Sequence, residues 1–166
     1  MIKTIFKTVL LLVAIVSIGS CEHDDSQIFA AGLKDKGEFY TLTYGPSMKF
    51  EEIVDSSNAL FRPKDFDKIL GGPIKKSDFI VKKENFHLRL FLIENYAKGY
   101  PSYQLLLRTF SNNMKIIDDF IIASTLENEL SDGYLTEGLR AVRKYKDSTK
   151  VVMQIDDYGT FKNTTK

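Results

Sequence analysis

Residues 85–124 read NFHLRLFLIENYAKGYPSYQLLLRTFSNNMKIIDDFIIAS, and their reading decides the fold class. Phe86, Leu88, Leu90 and Leu92 recur at every second position, the period at which a strand returns its side chains to one face. His87, Arg89, Phe91 and Ile93 take the opposite face, which turns apolar towards its end. The loop Tyr96-Ala97-Lys98-Gly99-Tyr100-Pro101 reverses the chain, and Tyr103, Leu105, Leu107 and Thr109 repeat the alternation. Asn112-Asn113 then stands between two apolar runs. Asn tolerates left-handed backbone, so the pair predicts a two-residue hairpin turn. Met114 to Ser124 supplies the third strand of an antiparallel meander.

The same signals extend outward. Glu127 to Gly133 is a polar connection. Tyr134 to Tyr145 fits a helix through Leu135, Leu139 and Val142, and a strand through Leu139 and Ala141. The strand is preferred, because Lys146-Asp147-Ser148-Thr149 then closes a hairpin onto Val151, Met153 and Ile155. Tyr158 to Lys162 ends the sheet, and residues 163–166 are a polar tail. Towards the N-terminus, Asp78 to Lys82 and Glu38 to Thr43 read as strands. Two short helices are predicted between them. One covers residues 48–56, capped by Ser47, with Phe50, Ile53 and Val54 on one face. The other runs from Pro63 to Leu70, with Pro63 in its first turn and Gly71-Gly72-Pro73 as its stop. The expected fold is mainly β with α+β character. It is an antiparallel meander sheet, open or partly closed into a barrel, with one or two short helices near the N-terminal side.

The first residues have a different logic. MIKTIFKTVLLLVAIVSIGSC opens with Lys3 and Lys7, and an uncharged run from Val9 to Ile18 follows, interrupted only by Ser17. The run is too short to span a bilayer core, which takes about 20 apolar residues, so it reads as the apolar region of an export signal. It ends Ile18-Gly19-Ser20-Cys21, a branched aliphatic, two small residues and a cysteine. This resembles the lipobox of bacterial lipoprotein precursors, whose more usual residue at the Ile18 position is Leu. The resemblance implies a signal peptide over residues 1–20, diacylglycerol on the Cys21 thiol and cleavage just before it. It further implies a flexible tether over residues 21–36 and a single β-rich domain over residues 37–166. The acidic Glu22-His23-Asp24-Asp25 that follows resembles the surface-export signal of Bacteroidota-type lipoproteins. The implied location is the outer membrane, on its periplasmic face or on the cell surface. Each buried CH₂ contributes roughly 0.8 kcal/mol, so two acyl chains give stable anchoring.

Composition narrows the function. Removing residues 1–20 takes two of the 23 basic residues and none of the 22 acidic ones, so the mature charge is −1. A near-neutral domain has no electrostatic case for nucleic acid. Cys21 is the only cysteine, so no disulfide forms within the chain and its lipidation would leave no thiol.

Catalytic motifs are weak. There is no Gly-x-Ser-x-Gly elbow, and of the two histidines His23 lies in the tether, which leaves His87 as the sole candidate base. Metal-ligand spacing is lacking. Glu127 to Gly133 superficially resembles a calcium loop, but aligning Gly133 with the required glycine puts Leu139 where a bidentate Glu belongs. No metal or cofactor is expected. Asp118 shares the alternation of Met114, Ile116, Phe120 and Ile122, so a regular strand would bury it. Three solutions remain open: a β-bulge at Asp118-Asp119 that turns both outward, a hydrogen bond to a buried loop, or a functional site. Tyr96, Tyr100 and Tyr103 cluster around one turn and are the candidate binding residues, for a protein or glycan partner, against the plainer reading that they pack their own hairpin. The expected function is a non-enzymatic binding or accessory module held at a membrane by its lipid. The alternatives are an inhibitor or immunity lipoprotein, and a hydrolase with an unfamiliar site.

Overall fold

The computed structural model describes residues 26–45, 48–53, 73–96 and 100–165. The signal segment, Cys21, the predicted Ser47 cap, the predicted helix from Pro63 to Leu70 and Lys98 lie outside the described residues. The described residues form an open antiparallel sheet of eleven strands. They are β1 (Gln27–Asp35), β2 (Tyr40–Tyr44), β3 (Phe50–Ile53), β4 (Ile74–Lys82), β5 (His87–Asn95), β6 (Ser102–Phe110), β7 (Ile116–Ser124), β8 (Ser131–Thr136), β9 (Arg140–Tyr145), β10 (Lys150–Ile155) and β11 (Phe161–Asn163). The meander runs in sequence order from β3 to β7 and again from β8 to β11.

Two expectations near the N-terminus are corrected. Gln27–Asp35 is a full strand, so the domain begins well before residue 37. It pairs with β2 on one side and with β8 on the other, placing Phe29 and Ala31 in the core. Tertiary pairing accounts for this, since Ile28 and Phe29 are the segment's only large apolar side chains before Leu33. Phe50–Ile53 is a strand rather than the start of a helix. Its register with β4 puts Glu51 opposite Lys76 and Ile53 opposite Ile74. The helical spacing of Phe50, Ile53 and Val54 was too short a signal to outweigh an available strand edge.

Tyr134 to Tyr145 is strand, as preferred, but as two strands joined at Glu137-Gly138. One turn design recurs in four hairpins. The N–H of Met114, Leu139, Ser148 and Gly159 donates to the carbonyl of Ser111, Thr136, Tyr145 and Asp156 at 2.8, 2.9, 2.9 and 3.0 Å. Each donor residue is left-handed, with φ of 60°, 60°, 71° and 83°. This is the three-residue hairpin loop that ends in a bulge. The Asn112-Asn113 turn is therefore one residue longer than expected, and its left-handed position falls on Met114. Met114 and Leu139 each pack against a core cluster, which offsets their backbone strain.

The main core lies inside the curl of the sheet. Leu88, Leu90, Leu105, Leu107 and Leu135 are fully buried there, each worth about 1.5–3 kcal/mol of transfer free energy. A second cluster, with Ile74, Phe91, Leu106 and Phe110, occupies the other face of β4 to β6. Parity in β5 sorts the two exactly as its alternation predicts.

The halves of the sheet join at a corner. Strands β7 and β8 share one pair, Ser124 with Ser131, after which β8 passes its edge to β1. From there β7 leaves across the second half. Its Phe120 ring lies 5.8 Å from that of Phe161 in β11, and the Asp118 Oδ2 accepts the Phe161 N–H at 3.0 Å. A bulge between Arg108 and Phe110 allows this. It sends Met114 and Ile116 to the outer cluster while Ile117, Phe120 and Ile122 face the inner one. Asp118 is thus on a bulge and bonded to the backbone of β11 rather than of a loop, and Asp119 turns to pair with Arg108 at 2.8 Å.

The corner requires Gly133. A Cβ there would lie 2.2 Å from the Ile122 carbonyl oxygen and 2.4 Å from that of Val142. Gly133→Ala is expected to lower stability by about 3 kcal/mol, read by urea denaturation. Ser148→Gly, at an exposed left-handed position, is expected to raise it by about 0.5–1 kcal/mol in the same assay.

Candidate functional site

A cavity of about 550 Å³ opens at the end of the sheet where three loops converge. The entry to β2 contributes Phe39 and the strand's first residue, Tyr40, the β5–β6 connection contributes Tyr100 and Pro101, and the β7–β8 connection contributes Leu126 and Leu130. Glu38 and Glu127 bring carboxylates to the same walls.

Local geometry sets the aromatic side. Gly37 is left-handed at φ 87°, and its N–H donates to Asp35 Oδ1 at 2.7 Å. This tight reversal turns Phe39 onto Tyr100, with ring centroids 5.8 Å apart and planes 18° from parallel. The Tyr100 hydroxyl donates to Glu38 Oε2 at 3.0 Å. Tyr40 lies beside the pair and carries the Lys146 ammonium over its ring, 4.7 Å from the centroid. The same ammonium donates to the Tyr40 hydroxyl, and that hydrogen bond holds the Lys146 pKa above its ordinary value.

The opposite wall is fastened from within. Thr125 and Tyr103 exchange hydrogen bonds, Thr125 N–H to the Tyr103 carbonyl at 2.8 Å and Tyr103 N–H to Thr125 Oγ1 at 2.7 Å. A 3-10 turn, Glu127–Glu129, follows. Buried Arg143 reaches up from β9. Its Nε donates to Ser131 Oγ at 2.8 Å, and one Nη donates to the Glu129 carbonyl and carboxylate, both at 3.1 Å. The segment that superficially resembled a calcium loop is thereby committed to an arginine. Among the described residues no group of three or more His, Cys, Asp or Glu could hold a metal ion.

Two shallower hollows prolong the cavity. One shares Glu127 and Leu130 with it and continues to Tyr145, Lys146 and Asp147. The next shares Tyr145 and Lys146 and ends at Lys150. The trough is therefore aromatic and acidic at the Tyr100 end and basic at the Lys150 end. It suits an extended ligand that stacks on rings at one end and meets charge at the other.

Only one of the three candidate tyrosines lines the cavity. Tyr100 does, and it is 48% exposed. Tyr96 donates its hydroxyl to Glu94 Oε2 at 2.8 Å, and this bond pushes its pKa up. Glu94 is buried and also receives the Lys75 ammonium at 2.5 Å. Tyr103 packs against the main core, where burial raises its pKa. Tyr96 thus bonds within its own hairpin, and Tyr103 belongs to the core packing. His87 stands on the outer face of β5, its ring 5.1 Å from that of Phe79. The residues missed from sequence are Phe39, Tyr40, Leu126, Leu130 and Arg143. Phe39 and Tyr40 stand about 60 residues before Tyr100, and Leu126, Leu130 and Arg143 about 25 to 45 after it, where no periodicity links them.

No protein-family model, curated protein or solved structure matches this chain.

Arg143 is the strut of the cavity wall. Arg143→Ala leaves Ser131 and Glu129 without their shared donor, and is expected to cost about 2–3 kcal/mol by thermal or urea denaturation. Arg143→Lys is expected to recover little of this, because an ammonium lacks the guanidinium fork.

Proposed function

We propose that this chain is a lipid-anchored lipoprotein of the bacterial cell envelope whose β domain is a non-enzymatic binding module. Its recognition site is the cavity lined by Phe39 and Tyr100. The anchor rests on the lipobox-like Ile18-Gly19-Ser20-Cys21 after a short apolar run. The observation that carries the binding role is the stacked Phe39–Tyr100 pair presented at the mouth of a cavity. Exposed aromatic faces of this kind stack on sugar rings or receive an apolar side chain of a protein partner. The partner is accordingly a glycan or protein of the envelope, met at the outer membrane, on its periplasmic face or at the cell surface.

A second reading is an inhibitor or immunity lipoprotein that occludes an envelope-directed enzyme or toxin. The continuation of the trough to Lys146 and Asp147 favours it, because a protein segment can follow the whole length.

Cys21→Ser is expected to move the protein from the membrane fraction to the soluble fraction and to abolish incorporation of labelled fatty acid. A membrane-bound mutant beside an unlabelled wild type would refute the anchor. For the site, full-length wild type and Tyr100→Ala are compared in pull-downs from envelope extracts. The wild type is expected to retain a glycan or membrane component that Tyr100→Ala loses. A single stoichiometric enzyme partner would select the second reading, and equal retention by both proteins would place recognition elsewhere.

A further inference from the structure

Arg89 of β5 and Arg108 of β6 are direct cross-strand partners on the sheet face turned away from the main core. Like charges placed opposite one another destabilise a strand pair unless something compensates them. Arg108, 1% exposed, has Asp119, whose Oδ2 accepts its Nη2 at 2.8 Å. Arg89 is 9% exposed, and its Nε is sealed from solvent without a hydrogen-bond partner. Among the described residues no carboxylate bonds its guanidinium. Its contact is the ring of Phe79, with the guanidinium carbon 4.0 Å from the centroid.

A further cation and a second unpartnered nitrogen stand nearby. The Lys82 ammonium lies 5.9 Å from the same Phe79 centroid. The His87 ring lies 5.1 Å from it, and its Nδ1 is likewise sealed and unpartnered. Burial pushes the Arg89 pKa down, and the nearby Asp78 and Glu51 only partly offset it. Glu51, however, is 3.4 Å from the Lys76 ammonium, and neither acid forms an ion pair with Arg89. A guanidinium does not shed its proton, so burial leaves it charged and in want of a counter-ion.

We propose that Arg89, backed by Arg108 and flanked by His87 and Lys82, is an anion-binding site. It takes an oxyanion of the carboxylate or phosphate class, two of whose oxygens match the guanidinium fork. Phe79 holds the guanidinium plane by stacking and so presents its edge to the ligand. The site lies on the opposite face of the sheet from the main core and does not depend on the Tyr100 cavity.

The test follows thermal unfolding of the purified full chain in mild detergent. Inorganic phosphate, acetate and sodium glucuronate are titrated in turn, each against chloride at matched ionic strength. The wild type is expected to gain several degrees, with saturation, in at least one of the three and nothing in chloride. Arg89→Met is expected to lose this gain and, in chloride, to melt at or above the wild type, because an uncompensated charge has been removed. Arg89→Lys, which keeps the charge without the fork, is expected to need at least tenfold more anion. Tyr100→Ala is expected to respond like the wild type. Saturation by glucuronate far below acetate identifies an acidic sugar as the source of the anion, whereas saturation by phosphate alone identifies a free or esterified phosphate. The proposal is overturned if the wild type shows no saturable gain, if Arg89→Met gains equally, or if Arg89→Met melts well below the wild type in chloride.

Discussion

The close crossing of β7 over β8 at Gly133 is the constraint on which the rest of this structure depends. Two backbone carbonyl oxygens, from Ile122 and Val142, come so near the Gly133 Cα that no side chain can stand between them. That approach lets β8 leave β7 after a single shared pair and take β1 as its neighbour. The sheet then turns a corner instead of continuing flat. Its second half swings under the first, and the leucines of β5 and β6 meet Leu135, Ala141, Ile155 and Phe161 in one core. Asp118 completes the turn at the far end of β7 by accepting the Phe161 N–H, which β10 leaves unused on the edge of β11. An edge N–H capped in this way cannot recruit a further strand at that position.

The cavity is a consequence of the same corner. The connection from β7 to β8 leaves from their one shared pair, forms a 3-10 turn and sets Leu126 and Leu130 on the cavity wall. Arg143 stabilises this detour from below, with Ser131 and Glu129 as its acceptors. Across the gap, the reversal at Gly37 sets Phe39 against Tyr100. The walls thus belong to three loops held by separate devices.

Charge is distributed unevenly between the two faces of the sheet. Glu94 shares its carboxylate between Lys75 and Tyr96, and Arg143 is fully engaged. On the outer face of β5 and β6 two arginines stand opposite each other, and the Asp119 carboxylate goes to Arg108. Burial of a guanidinium is costly unless its hydrogen bonds are made, so this pair is where the domain's electrostatics call for an outside group.

By itself the sequence determined β5, β6 and the strand that follows them, because alternation in β5 and β6 is dense and a one-residue slip would bury His87 and Arg89 in the main core. It placed Ser131 to Gly133, the start of β8, in a polar connection and only leaned to strand over Tyr134 to Tyr145. It also determined that a hairpin closes at Asn112-Asn113, and it singled out Asp118 as a carboxylate that a regular strand would bury. It marked Tyr100 as a surface aromatic without separating it from Tyr96 and Tyr103. Tertiary structure decided what has no local signature. Gln27–Asp35 and Phe50–Ile53 became strands because sheet edges were available to them, not through their own patterns. The left-handed turn residues Met114, Leu139 and Ser148 follow from hairpin geometry rather than residue preference. The corner rests on a steric gap at Gly133 that only the approach of Ile122 and Val142 defines. The cavity exists because that corner brings residues 38–40, 100–101 and 125–130 together, and contacts at such separations leave no period along a chain.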